Sequence, residues 1–102
     1  MAIQKDKTPM RQQSPEKRIN NFKEVPFGYN KEEAINEAER CLQCAHSPCV
    51  EGCPVEVPIP QFIDAISEGK IDEAIEIMNT KNTLPAICGR VCPQEEQCES
   101  LC

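Results

Sequence analysis

The sequence is poor in the large apolar side chains that build a protein core. It has no Trp and one Tyr, and Leu, Ile, Val and Phe together make up about a fifth of its 102 residues. A charged chain with so few of these residues lies close to the composition of disordered proteins. The length supports at most one small domain, and domains of this size often need a staple beyond apolar packing.

Long apolar runs are also lacking. Residues 1–30 contain no stretch that resembles the apolar centre of a secretory signal, and no segment approaches the length of a membrane span. We therefore predict a cytoplasmic protein that does not enter a membrane. Because the cytosol keeps thiols reduced, cysteines in such a protein are expected to bind metals or cofactors rather than to form disulfides.

Basic charge is scarce outside the N-terminal part. Residues 1–30 carry six basic and three acidic side chains, whereas residues 31–102 carry five basic and fourteen acidic ones, for a net charge of −6. An acidic region of this kind is a poor binder of nucleic acid, so we predict no nucleic-acid partner. It suits a basic patch on a protein partner.

The chain divides into an extended N-terminal arm, residues 1–30, and a helical domain, residues 31–102. The arm has no helical or strand periodicity beyond a possible helical turn at 16–21. Asn30 and Glu33 have the spacing of a capping box at the start of a helix. Further helices are predicted at 61–68, ended by Gly69, and at 72–78, with helical turns at 86–91 and 95–102 and no strand. The predicted fold class is all-α, with irregular loops that carry the cysteines.

The eight cysteines form two groups with different spacing. The first is C-x2-C-x4-C-x3-C-P and the second is C-x3-C-P-x5-C-x3-C. The first resembles the bacterial ferredoxin run C-x2-C-x2-C-x3-C-P with two residues inserted. Zinc ribbons usually pair two C-x2-C knuckles, and this chain has one. The groups are Cys41, Cys44, Cys49 and Cys53, and Cys88, Cys92, Cys98 and Cys102.

Iron–sulfur clusters are the favoured interpretation of this pattern. Two alternatives stay open: a zinc-stabilised protein-interaction module, and a subunit-assembly domain in which clusters are structural staples. The single histidine, His46, lies between Cys44 and Cys49. It is expected to be a loop side chain rather than a ligand, since its neighbours would already bind the metal.

Four longer motifs carry a family resemblance over nearly the whole chain. They are RINNFKEVPFGY, EEAINEAERCLQC, SPCVEGCPVEVPIPQFI and LPAICGRVCPQEEQCESLC. The chain resembles the N-terminal domain of the NADPH-dependent glutamate synthase small (beta) subunit family. The same domain type occurs in the NADH-dependent ferredoxin:NADP oxidoreductase large subunit and in dihydropyrimidine dehydrogenase. The resemblance implies an α-helical ferredoxin-like fold that holds two [4Fe-4S] clusters.

The resemblance also implies a ligand set. One cluster would be bound by Cys41, Cys44, Cys49 and Cys102. The other would be bound by Cys53, Cys92 and Cys98, with a Gln or Glu after the last cysteine as its fourth ligand in the family. The chain ends at Cys102, so this residue and the flavin and nicotinamide domains that follow in the family are expected to lie outside it. Cys88 is not expected to be a ligand.

The expected function is electron relay. In the family, the domain passes electrons between a flavin reduced by NADPH and a redox centre of a partner subunit. The chain by itself is not expected to be an enzyme, whereas its parent protein would be an NADPH-dependent glutamate synthase-type oxidoreductase. FAD and NADPH would bind to the parent chain's other domains, which would be the first partner, and the redox partner subunit would be the second.

Overall fold

The computed structural model describes residues 4–102, and this part of the chain is mainly helical, as predicted. It contains six α-helices, two short 3-10 helices and one two-stranded sheet. The helices are α1 (Pro15–Arg18), α2 (Lys31–Ala38), α3 (Pro48–Glu51), α4 (Ile59–Ser67), α5 (Ile71–Asn79) and α6 (Pro85–Val91). The strands are β1 (Arg11–Gln12) and β2 (Pro26–Gly28), and the 3-10 helices span Gln94–Glu96 and Glu99–Leu101.

The N-terminal arm folds back on itself. Strands β1 and β2 pair antiparallel, and α1 lies in the segment that connects them. Helix α1 is the helical turn expected near residue 16. The Gln13 side chain closes the loop by donating to the carbonyls of Lys23, at 3.2 Å, and Glu24, at 2.9 Å. The prediction of no strand was wrong here because the arm lacks the alternating pattern of a half-buried strand, and the pairing depends on these longer-range hydrogen bonds.

The N-terminus of α2 has the predicted capping box. The Asn30 side chain accepts from the Glu33 backbone N–H at 2.8 Å, and the Glu33 carboxylate accepts from the Asn30 N–H at 2.9 Å. Two N–H groups that the helix itself leaves unpaired are satisfied in this way. The capping box therefore defines where α2 begins, and the first cysteine, Cys41, follows three residues after the end of the helix.

A polar clasp binds the arm to α2, and its centre is Thr8, which is buried. The Thr8 N–H donates to a Glu37 carboxylate oxygen at 2.6 Å, and its carbonyl accepts from the Tyr29 hydroxyl at 2.6 Å. Glu37 also forms an ion pair with Arg40. Burial alone would raise the pKa of Glu37, but the Thr8 N–H and Arg40 outweigh it and lower that pKa.

Helices α4 and α5 form a packed pair, and α2 also packs on α4. The turn between them is built on Gly69, whose φ of +79° is accessible to glycine at little cost. The Gly69 N–H donates to the Ile66 carbonyl and the Lys70 N–H to the Ala65 carbonyl, which is a Schellman motif. Gly69 thus ends the helix as predicted.

The core between these helices is small. Its buried apolar residues are Ala38, Val57, Ala65 and Ala74, and no large side chain within residues 4–102 is fully buried. Alanines allow close helix packing but remove little apolar surface from water. The poor core predicted from composition is therefore present in the fold.

Two segments differ from the prediction in their local structure. Helix α3 begins at Pro48, in a stretch predicted to be irregular loop, because proline is well suited to the first position of a helix. The turns predicted at 95–102 are two separate 3-10 helices, since Gln97 between them has non-helical dihedral angles. In the part of the chain described, none of the helices is both long and apolar enough to span a membrane.

Candidate metal centre

The loop that carries the first cysteine group has a strained backbone. It follows α2 directly, and the Cys41 N–H still donates to the Ala38 carbonyl at 3.1 Å. Gln43, Ser47 and Glu56 are the non-glycine residues of the described chain with positive φ, at 52°, 43° and 53°. Each such conformation costs free energy and persists only where surrounding contacts hold it, most often at a functional site.

Gln43 connects the Cys41 sulfur to the helical pair. Its backbone N–H and its side-chain amide lie 3.4 and 3.5 Å from the Cys41 sulfur, and the same amide donates to the Pro60 carbonyl in α4 at 3.0 Å. Hydrogen bonds to ligand sulfurs tune the reduction potential of a bound cluster. Gln43 was not predicted to have a role. The feature that could have indicated one is its amide side chain, which lies between the two cysteines of the C-x2-C spacing.

The second cysteine group is brought to the first by a contact between two backbones. A Cβ atom on Gly52 would lie 2.6 Å from the Gln97 carbonyl oxygen and 3.1 Å from the Cys98 Cα. Only a residue without a side chain allows this approach. The 3-10 helix Glu99–Leu101 also packs against α3, which carries Cys49. No sequence pattern indicates this role for Gly52.

The thiols influence one another in two sets. Burial raises the pKa of the Cys49 thiol, and the negative charges of Cys41 and Cys102 add to the increase. These three residues come from both cysteine groups of the sequence. They all belong to the ligand set expected for one cluster.

The other set centres on Cys92. Burial, the Cys88 thiol, and then Cys53 and Cys98 raise the pKa of Cys92. Burial and the nearby charges of Glu99 and Cys53 raise the pKa of Cys98. This set contains the three cysteines expected for the other cluster, together with Cys88.

Cys44 and His46 are not among the residues that shift the pKa values of Cys49, Cys92 and Cys98. Cys44 is exposed, and its expected place beside Cys41 depends on the C-x2-C spacing. His46 lies in a turn and lines a shallow depression together with Val50, Glu56 and Lys81, and none of the residues that line this depression is a cysteine.

The donor chemistry fits iron–sulfur clusters. All eight cysteines are free thiols, and thiolates are the ligands of iron–sulfur and zinc sites. Within residues 4–102, no three His, Cys, Asp or Glu side chains converge tightly enough to hold one metal ion. A [4Fe-4S] cluster places each of its four thiolates on a different iron, so its ligand sulfurs lie farther apart than around a single ion.

Apolar side chains are exposed beside the second thiol set. Leu84, Ile87 and Val91 lie on one face of α6, and their exposed fractions range from 54% to 70%. Leu101, next to Cys102, is also exposed.

Comparison with known proteins supports the assignment made from the cysteines. The family described as dihydropyrimidine dehydrogenase domain II, 4Fe-4S cluster, matches residues 18–102. The glutamate synthase [NADPH] small chain of Halomonas elongata is 42% identical over 88% of the chain, and that of Escherichia coli K12 is 42% identical over 79%. The NAD-dependent dihydropyrimidine dehydrogenase subunit PreT of E. coli K12 is 42% identical over 68%.

The chain spans only 17% to 20% of the length of these three relatives. The similarity therefore covers an iron–sulfur domain of larger oxidoreductases, and it does not extend to the remainder of those proteins. On the match to residues 18–102 and these identities, the chain belongs to the dihydropyrimidine dehydrogenase domain II family of 4Fe-4S cluster domains.

Proposed function

We propose that this domain holds two [4Fe-4S] clusters and relays single electrons between a flavin and a partner redox centre. The observation that carries the proposal is the division of the thiols into two sets, each drawing on both cysteine groups of the sequence. A chain with one cluster would need one such set. The flavin and its electron donor NADPH belong to other domains of a longer parent protein.

The proposed ligands of the first cluster are Cys41, Cys44, Cys49 and Cys102. Cys41 and Cys102 both act electrostatically on Cys49, and the C-x2-C spacing brings in Cys44. The Gln43 side-chain amide lies 3.5 Å from the Cys41 sulfur. Gln43 and Ser47, in the same loop, both have positive φ.

The proposed ligands of the second cluster are Cys53, Cys92 and Cys98. The close approach of Gly52 to Gln97 and Cys98 brings Cys53, the next residue, near Cys98. The proposed fourth ligand is a Gln or Glu from the parent chain, as the family pattern implies. When bound, the clusters supply one-electron transfer, and the protein supplies ligation, burial and a fixed separation.

We further propose that the domain docks on a basic and partly apolar surface of its partner. Residues 31–102 are strongly acidic, and the exposed face of α6 supplies the apolar contact beside the second set. Complementary charge steers association and sets orientation more than it adds affinity. Free thiols in all eight cysteines support a cytoplasmic location for the relay.

The test is anaerobic reconstitution with iron and sulfide, followed by iron and sulfide analysis and EPR of the reduced protein. We expect a brown protein whose visible absorption bleaches on reduction, and signals from two interacting clusters. A colourless protein that binds zinc stoichiometrically and takes up no iron or sulfide would support the zinc module instead. Clusters that are present but cannot be reduced would support a purely structural role.

A further inference from the structure

Cys88 lies one helical turn before Cys92 on α6. The Cys92 N–H donates to the Cys88 carbonyl at 2.9 Å, so the two residues stand on the same face of the helix. Both residues are partly buried. The proposed ligand sets leave Cys88 without an iron.

The surroundings of Cys88 are those of the second cluster. Cys88, Cys53 and Cys98 all lie close enough to Cys92 to raise the pKa of its thiol. Four cysteines thus lie in the region where the proposed function requires three. The backbone hydrogen bond on α6 links Cys88 to one of those three, Cys92.

We propose that Cys88 is a reserve ligand for the iron bound by Cys92, an inference that rests on the proposed function. When the Cys92 thiolate is removed, the Cys88 thiol loses its proton to solvent and its sulfur binds that iron. The exchange replaces one iron–sulfur bond with another, and no electron is transferred.

A matched comparison exists within the same set. Cys98 also has a cysteine four residues away, Cys102, but that thiol is committed to the first cluster in the proposed ligand sets. Loss of Cys98 therefore leaves no uncommitted thiol nearby. Cys92→Ala and Cys98→Ala each remove one proposed thiolate ligand from the same cluster. They differ in whether an uncommitted thiol, Cys88, remains nearby to replace it.

The experiment is anaerobic reconstitution of the wild type, Cys92→Ala, Cys98→Ala, Cys88→Ala and the Cys88→Ala/Cys92→Ala double variant. We expect Cys92→Ala to keep the iron and sulfide content of the wild type with an altered EPR signal. Cys98→Ala and the double variant should lose about half of the iron. Cys88→Ala should match the wild type in both measurements.

Alkylation followed by mass spectrometry gives a second measurement. Cys88 should react in the reconstituted wild type and become protected in reconstituted Cys92→Ala. If Cys92→Ala loses as much iron as Cys98→Ala, or if Cys88 stays reactive in it, the proposal is overturned. Loss of iron from Cys88→Ala alone would also overturn it, because Cys88 would then be a resident ligand. A wild type without clusters would instead refute the proposed function.

Discussion

The helical pair α4–α5 and the cysteine segments 41–56 and 88–102 are held together in different ways. The helical pair has regular helices, a glycine-based turn and buried alanines at its contact. The cysteine segments consist of short helices, strained turns and half-buried thiols. The first region is stabilised by apolar packing and local hydrogen bonds, whereas the second has little apolar packing and contains all eight cysteines.

This difference indicates that the two regions have different roles: one forms a helical scaffold, and the other carries the cysteines. Helices α2, α4 and α5 supply a scaffold that local sequence can specify. The cysteine segments have little apolar burial of their own, so metal ligation is expected to supply much of their stability. The two regions meet at a few defined contacts, including Gln43 with Pro60 in α4.

The largest effect should follow complete removal of iron and sulfide. We expect the cysteine segments to lose most of their protection in hydrogen exchange, while α4 and α5 keep part of theirs, because ligation stabilises small metal domains by several kcal/mol. Mass spectrometry of exchanged peptides from 41–56, 59–79 and 88–102 measures this directly. Equal loss of protection in all three would show that the regions form one cooperative unit.

The second prediction concerns the contact between the two cysteine segments. Gly52→Ala places a methyl group 2.6 Å from the Gln97 carbonyl oxygen, and we expect it to destabilise the protein by about 1–3 kcal/mol and to lower its iron content. The measurements are denaturant unfolding and iron analysis after reconstitution.

Gly89→Ala is the matched control for this prediction. A Cβ at Gly89 meets no atom within 4 Å, and alanine is favoured over glycine inside a helix by up to about 1 kcal/mol. Gly89→Ala should therefore leave stability unchanged or increase it. Similar losses in both variants would contradict the close contact at Gly52.

Sequence reasoning succeeded where local rules decide the structure. The Asn30 capping box and the Gly69 stop each depend on a few neighbouring residues. It failed for the β1–β2 pairing and for the role of Gly52, because both depend on segments far apart in the chain. It also missed α3, which lies in a stretch predicted to be irregular loop, because Pro48 is at the first position of this short helix.

The proposed ligand sets show the same limit. The spacing C-x2-C links Cys41 and Cys44, but spacing alone does not place Cys102 with Cys49, more than fifty residues earlier in the sequence. That assignment came from the family resemblance. In the fold, the 3-10 helix Glu99–Leu101, which precedes Cys102, packs on α3, which carries Cys49.

The third prediction tests the clasp that holds the arm on the scaffold. The pKa of Glu37 is lowered because the Thr8 N–H and Arg40 outweigh its burial. A carboxyl with a lowered folded-state pKa stabilises the protein at neutral pH, and this stability is lost as the pH falls below about 4.3 towards the folded-state pKa. Glu37→Gln should therefore cost about 1–2 kcal/mol at neutral pH.

The measurement is the difference in unfolding free energy between wild type and Glu37→Gln as a function of pH. The difference should shrink as the pH falls, and any acid loss of clusters should affect both proteins alike. Glu39→Gln, on the exposed side of the same helix end, removes a carboxylate outside the clasp and serves as the control, and it should change the unfolding free energy little. A difference for Glu37→Gln that is independent of pH would contradict the charged clasp.

The smallest effect is expected at the ion pair between Glu24 of the arm and Arg90 of α6. The Arg90 hydrogen bond lowers the pKa of Glu24, but both side chains are more than half exposed, at 52% and 60%. Solvent and salt screen such a pair, and ordering two long side chains opposes it. We expect Glu24→Gln to leave both the unfolding midpoint and the iron content unchanged at physiological salt. A clear fall in iron content would show that the arm helps to position α6 and its cysteines. The arm would then belong with the cysteine segments rather than with the helical scaffold.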